Sequence, residues 1–292
     1  MKVGTRESLL AMRQTDIFKE RFGALHPEVE LEIISMKALG DIDLTSPLDQ
    51  MSSVGAFVRE LDDAMLRGRI DASVNSLKDI PTKMQEGLTI PAVFERDAVE
   101  DVILPCPLDE LPEGATVGTS SIRRQMLLKE VRPDLKIIPL RGNIHTRMSK
   151  LDSGNYDAII LAKAGLDRMG IVRPMYALDP KVFVPAPAQG TIALECRSGD
   201  AQNEPLLREL DHRDTRIAVD LEREIMKQMG AGCSAPVGIN AKVEGGRISL
   251  HAVSYGYTQE PRRVDMTVPA DYVSSDVQGI SDYLIGKKDS IA

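Results

Sequence analysis

Apolar residues recur along this chain at two spacings, and the switch from one to the other marks out alternating strands and helices. Residues 2–5 read as a short strand, and Leu10, Ile17, Phe18, Phe22 and Leu25 fall at helical spacing over 8–25. A strand follows at 30–36. Phe57, Val58, Leu61, Ala64 and Met65 then form one stripe of an amphipathic helix at 57–69. The strand at 70–75 stops at SLKDIP, where Pro81 cannot continue a ladder. Further strands are predicted near 88–94 and 101–104. A second run begins with strand 115–118, helix 121–131, strand 135–140, helix 143–152, strand 157–162 and helix 163–169. The alternation predicts an α/β fold with two units and mainly parallel sheets, with ligands at the carboxyl ends of the strands. Four prolines within 172–190 mark a connection, and a long helix is predicted over 213–229. Strands within 236–267, joined in part by an EGG hairpin turn, and a closing helix near 272–285 read as a small α+β domain.

The 292 residues suit two or three domains, and 42% hydrophobic with 27% charged residues fits a globular chain. No apolar run approaches the roughly 20 residues that span a bilayer. The opening MKVGTRES places charge and glycine where a signal peptide carries its apolar core, so a cytoplasmic protein is expected. Cys106, Cys196 and Cys233 are odd in number and far apart, which argues against both a disulfide framework and a CxxC metal site.

The net charge of -8 argues against a nucleic-acid partner, but it is unevenly spread. Residues 119–168 hold ten Lys/Arg against five Asp/Glu, a local +5 that leaves -13 elsewhere. A generic cluster of this kind is a solvated face more often than a site. The placement of the arginines changes that weighting. GTSSIRRQ (118–125) sits where a strand gives way to a helix, with hydroxyls on Thr119, Ser120 and Ser121 and guanidiniums on Arg123 and Arg124. Cations in the first turn oppose the helix dipole, so a compensating anion is expected there. The next two strands lead to Arg141 and Arg147 and to Arg168, and the first strand of the chain leads to Arg6 and Ser8. The pattern predicts a cleft between two lobes, lined for a ligand with several carboxylates. Asp79, beside Lys78 in SLKDIP, is either a turn residue or a group that stabilises a cation. Cys233 lies in the Gly-flanked GAGCSAP (230–236), where a thiol is sterically open to serve as nucleophile or attachment point; with four His in the chain, a Cys/His dyad is poorly supported.

These segments, with GTRESLLA (4–11), VGAFVREL (54–61), PAQG (187–190) and the long LRGNIHTRMSKLDSGNYDAIILAKAGLDRMG (140–170), closely resemble the porphobilinogen deaminases in order and across nearly the whole chain. The resemblance implies two periplasmic-binding-protein-like α/β lobes, 1–94 with 191–209 and 99–186, and an α+β domain at 213–292. It implies an enzyme that condenses four porphobilinogen molecules into hydroxymethylbilane, with ammonia released at each step, on a covalent dipyrromethane cofactor. By motif Cys233 holds the cofactor through a thioether and Asp79 is the catalytic acid. Lys78, Thr119, Ser121, Arg123, Arg124, Arg147, Gly190 and Phe57 match cofactor-binding positions, and Arg6, Ser8, Gln14, Arg141, Arg168 and Gln189 match positions that bind substrate. The implied protein is a monomer that needs no metal, nucleic acid or membrane. The chain departs from the bacterial pattern at Gln50 and Val54, where lysines are common, at Asn75, where His is common, and at Ala188, where Gly is frequent. Two rival readings are a two-lobed anion receptor and a thiol hydrolase using Cys233.

Overall fold

The computed structural model describes residues 1–37, 58–232 and 235–291. Its elements begin with β1 (Lys2–Arg6), α1 (Leu9–Leu25), β2 (Glu32–Met36), α2 (Arg59–Leu66), β3 (Ala72–Ser76) and β4 (Leu88–Val93). Then come β5 (Asp101–Leu104), β6 (Thr116–Gly118), α3 (Ile122–Val131), β7 (Lys136–Ile138), α4 (Ile144–Asp152), β8 (Ala158–Ala162), α5 (Lys163–Arg168) and β9 (Tyr176–Ala177). The chain closes with β10 (Ile192–Arg197), α6 (Glu204–Arg208), α7 (Arg213–Gln228), β11 (Val237–Glu244), β12 (Arg247–Ser254), β13 (Arg262–Pro269) and α8 (Ser274–Leu284).

Two compact units result, Met1–Asp97 with Gly190–Ile217, and Ala98–Gln189 with Ala218–Ala292. The first is built on a sheet of order β2-β1-β3-β10-β4. In it β1 runs parallel to β2 and β3, while β10 is antiparallel to β3 and β4. The second repeats the plan with order β7-β6-β8-β5-β9, where β6 is parallel to β7 and β8, and β5 is antiparallel to β8 and β9. The sheets are therefore mixed rather than mainly parallel. In each, one strand from outside the βαβ run enters between the third parallel strand and an edge. The Pro-rich connection also contributes the two residues of β9, paired to β5 at Ile103 and Tyr176. The third sheet is an antiparallel meander, β11-β12-β13. Its Val253 and Tyr255 join the core of the second unit with Val117, Leu127, Ile160 and Phe183, so meander and second sheet share one apolar interior.

The first unit's core is Val3, Phe18, Phe22, Val74, Phe94 and Leu194, with Phe18 and Phe22 rings 5.2 Å apart. α1 turns one face to it because its apolar positions recur at helical spacing, and Ser8 caps its start by accepting from Ala11 N–H. Ser121 and Asn143 cap α3 and α4 in the same way.

In α2, Asp62 is buried beside Glu60 and Asp63, and its carboxyl is pushed up to about 6 by burial first and then by the charges of Asp63 and Glu60. The folded chain thus binds this proton more tightly than the unfolded chain, whose ordinary value is 3.8. The group's contribution to stability is present below that value and is lost as pH rises through about 6. Asp62→Asn, neutral throughout, is expected to raise the urea midpoint at about pH 8 and to lose that gain at about pH 4.

β11 reaches the second sheet through a close backbone approach, with Ile239 N–H donating to Pro185 O at 3.0 Å. A Cβ at Gly238 would sit 2.5 Å from Val184 O. Gly238→Ala is expected to cost about 1–3 kcal/mol, read as a lower urea midpoint by circular dichroism.

Candidate functional site

β1 and β3 are parallel neighbours, so their carboxyl ends emerge side by side. β1 ends in Arg6, and β3 runs into a 3-10 turn, Leu77–Asp79. Leu77 and Ile80 are buried and anchor this turn from below, while Leu77 N–H donates to Thr191 O at 2.9 Å. Lys78 and Asp79 between them stay half-buried. The Arg6 Nη1 lies 3.9 Å from Asp79 Oδ2. Gln14 is buried and its amide donates to Ser76 Oγ at 2.8 Å, so it braces the start of the turn. Asn75 donates to Glu195 at 2.7 Å and to Ser73 Oγ at 2.9 Å, which uses its amide inside the sheet. Arg6, Gln14, Lys78 and Asp79 are thus gathered about one turn, with Ser8 capping the helix that follows β1.

In the second unit β7, β6 and β8 are adjacent and parallel, so the segments carrying Arg141, Arg123 with Arg124, and Arg168 leave one sheet edge. The hydroxyls of 119–121 do local work. Thr119 Oγ1 accepts from Ser121 N–H at 3.2 Å, Ser120 donates to Leu140 O at 3.0 Å, and Ser121 Oγ accepts from Arg124 N–H at 3.4 Å. The anion expected in the first turn of α3 is supplied by the protein. Asp101, the fully buried first residue of β5, accepts from Arg123 Nη2 at 2.7 Å and from Arg124 Nη2 at 2.6 Å. Gln189 donates to the same carboxylate at 3.0 Å and to Val99 O at 2.8 Å. Burial alone would raise the Asp101 carboxyl. The charges of Arg123 and Arg124, with hydrogen bonds from Arg124 and Gln189, outweigh it and hold the group well below the usual carboxylate range.

Arg147 donates from Nε to Gly142 O at 2.7 Å, and Arg141 O accepts from Lys150 Nζ at 3.0 Å. Burial and then the like charges of Arg124 and Arg141 pull the Arg147 pKa down to about 10. Such crowding of cations costs free energy that a bound polycarboxylate offsets. Guanidinium forks delivered to one sheet edge fit a ligand bearing several carboxylates, such as a dipyrromethane with acetate and propionate side chains.

The PAQG segment turns sharply. Ala188 has φ 61°, a left-handed conformation that costs an alanine about 1 kcal/mol and that glycine adopts freely. Its N–H donates at 2.6 Å to Glu222, a buried carboxylate of α7 that also accepts from Ala241 N–H at 2.6 Å. Gly190 has φ 88°, and its carbonyl accepts from Asp97 N–H at 3.1 Å.

Cys233, Phe57, Gln50, Val54 and the loop 46–56 lie outside the described residues. Burial raises the thiols of Cys106 and Cys196, the latter to about 12, so neither is a ready nucleophile. Among the described residues no group of three or more His, Cys, Asp or Glu could hold a metal ion, and no helix is long and apolar enough to cross a membrane. Asp101 and Glu222 are not among the residues that the sequence pattern singles out. Each has a signal, an acid opening the apolar DVIL and an acid on the apolar stripe of α7 with Val219, Leu221 and Ile225.

Family models match most of the chain. "Porphobilinogen deaminase, dipyromethane cofactor binding domain" covers residues 1–204, and "Porphobilinogen deaminase, C-terminal domain" covers residues 216–259. Among solved structures, the chain is similar to the periplasmic VFT2 domain of BvgS from Bordetella pertussis at 18% identity, over 72% of this chain and 85% of that one, with a TM-score of 0.41. It is similar to the BenM effector-binding domain bound to benzoate at 15% identity, over 79% and 93%, with a TM-score of 0.44. A probable amino-acid-binding transporter protein, ytmK of Bacillus subtilis, is 10% identical over 72% and 89%, also at 0.44.

Proposed function

The chain belongs to the porphobilinogen deaminase family, transferases of tetrapyrrole biosynthesis that carry a dipyrromethane cofactor, and on that premise we propose that it joins four porphobilinogen molecules head to tail into hydroxymethylbilane. Ammonia leaves at each condensation, and water releases the finished chain. The observation that carries the carboxylate-binding part of this reading is the delivery of Arg141, Arg123 with Arg124, and Arg168 from three adjacent parallel strands to one sheet edge.

When bound, dipyrromethane supplies a pyrrole α-carbon as the nucleophile. The protein's own residues bind, orient and balance charge. Arg123, Arg124, Arg141, Arg147 and Arg168 hold acetate and propionate groups, helped by Lys78, Arg6, Ser8, Thr119 and Ser121, because guanidinium forks suit carboxylates. Loss of ammonia from the aminomethyl group of porphobilinogen leaves an electron-poor, cationic pyrrole. Asp79, fixed on its turn and half-buried, balances that positive charge as it forms and again after carbon–carbon bonding, before a proton leaves the ring. Cys233 acts as the covalent anchor and is not recycled. Phe57 and Gly190 complete the cofactor's surroundings. Gln14 and Gln189 act from behind, since their amide nitrogens are directed at Ser76 and at Asp101 with Val99. The division into a lobe with the acid (1–94 and 191–209), a lobe with the guanidiniums (99–186) and an anchoring domain (213–292), working as a monomer, is part of the same proposal.

Intact-mass spectrometry of the purified protein tests the reading. The expected result is a mass above that of the chain by one dipyrromethane, with further additions when porphobilinogen is supplied and ammonia released in step. A bare mass from cells that make porphobilinogen normally, with no ammonia released, overturns it.

A further inference from the structure

We propose that Asp101 is the positioning residue of the arginine pair, fixing the directions in which Arg123 and Arg124 present their remaining donors and holding the trio at a single net positive charge. The inference rests on the reading that these arginines serve a carboxylate ligand.

Both guanidiniums are clamped at two ends. Arg123 is held by Asp101 Oδ2 at 2.7 Å and by Val184 O at 2.7 Å. Arg124 is held by Asp101 Oδ1 at 2.6 Å and by Ile160 O at 3.0 Å. Gln189 Nε2, at 3.0 Å from the same Oδ1, fixes the carboxylate in turn. Asp101 cannot swing, because it begins the buried β5 and its own carbonyl accepts from Leu178 N–H at 2.9 Å. Three charges buried together are a poor route to stability, since apolar residues of similar volume fill such a place as well or better. What the trio supplies, and an apolar cluster does not, is a pair of guanidiniums with defined orientation. One carboxylate against two guanidiniums also leaves an attraction for one further anion. Without Asp101 two buried like charges would face each other and turn apart.

The test compares full-length Asp101→Asn and Asp101→Glu with the wild type. It measures the fraction of protein carrying the adduct by intact mass, KM and kcat on the adduct-bearing fraction, and the dependence of KM on salt. In Asp101→Asn the expected result is a smaller adduct-bearing fraction, KM raised about tenfold or more, kcat within about threefold, and a steeper rise of KM with salt. Asp101→Glu keeps the charge and moves it by one methylene, so it is expected to recover the salt dependence and only part of KM. A lowered melting temperature with loading, KM and salt dependence all as in the wild type overturns the proposal, as does failure of both variants to fold, which would make Asp101 a folding residue alone. Arg147→Gln separates the two levels. Unchanged loading and KM there defeat the carboxylate reading itself, whereas a raised KM there with a wild-type KM in Asp101→Asn defeats only the role of Asp101.

Discussion

Asp79→Asn is expected to keep its dipyrromethane adduct while losing about a hundredfold or more in kcat. The substitution keeps the size of the side chain, exchanges one acceptor oxygen for a donor amide and removes the negative charge from the turn at Leu77–Asp79. That turn is held independently of the side chain, by Leu77 N–H on Thr191 O and by the buried Leu77 and Ile80, so the fold has no reason to change. The effect therefore falls on the cationic steps. A preorganised charge there is worth far more than one in water, because it requires no reorganisation when the cation forms. With the Asp79 charge gone, the Arg6 guanidinium 3.9 Å away adds to the penalty for a positive intermediate. Single-turnover kinetics on adduct-bearing protein read the effect directly. Turnover within about threefold of wild type would exclude Asp79 from the electrostatic role.

Cys233→Ser is expected to yield a chain with no covalent adduct and no measurable turnover beyond background. A thioether forms because a thiolate is both accessible near neutral pH and strongly nucleophilic, and a serine hydroxyl is neither. The other cysteines offer no substitute. Cys196 is fully buried in β10 with its thiol raised to about 12, and the Cys106 thiol is raised by burial and by Glu110 and Asp109. Intact mass and far-ultraviolet circular dichroism measured on one sample distinguish loss of the anchor from loss of the fold. An adduct of full occupancy on the Ser variant would move the attachment to another residue.

The elements with strong periodicity were the legible ones. α1, α7 and the meander were foreseen within a few residues because their apolar faces are written locally, at the helical spacing and in alternation. The position of β10 was not legible. Nothing in its apolar run, TIALEC (191–196), says that Leu194 will lie opposite Val74 and Ala92, more than a hundred residues back. The same holds at the site. Arg6 closes a strand, and Asp79, Arg123, Arg124 and Arg141 follow strand ends, so a βα reading carries them to one sheet edge or the other. Asp101 precedes the arginines it holds by some twenty residues, and only the entry of β5 against β8 brings them together. The need for an anion in the first turn of α3 was physical and therefore visible. Whether protein or ligand met it depended on tertiary distance.

β10 also bears on how the chain is made. The sheet of the first unit has β10 between β3 and β4, bonded to both. A ribosome delivers β1 to β4 by residue 93 and β10 only at residues 192–197. The second five-stranded sheet, whose strands all lie within 101–177, is complete before then. Of the two five-stranded sheets, the one that begins first thus finishes second, and β3 and β4 wait with open edges while the other emerges whole. Open strand edges invite pairing with other chains. During synthesis the vulnerable stretch is therefore the amino-terminal one, and its exposure lasts for as long as the intervening hundred or so residues take to appear.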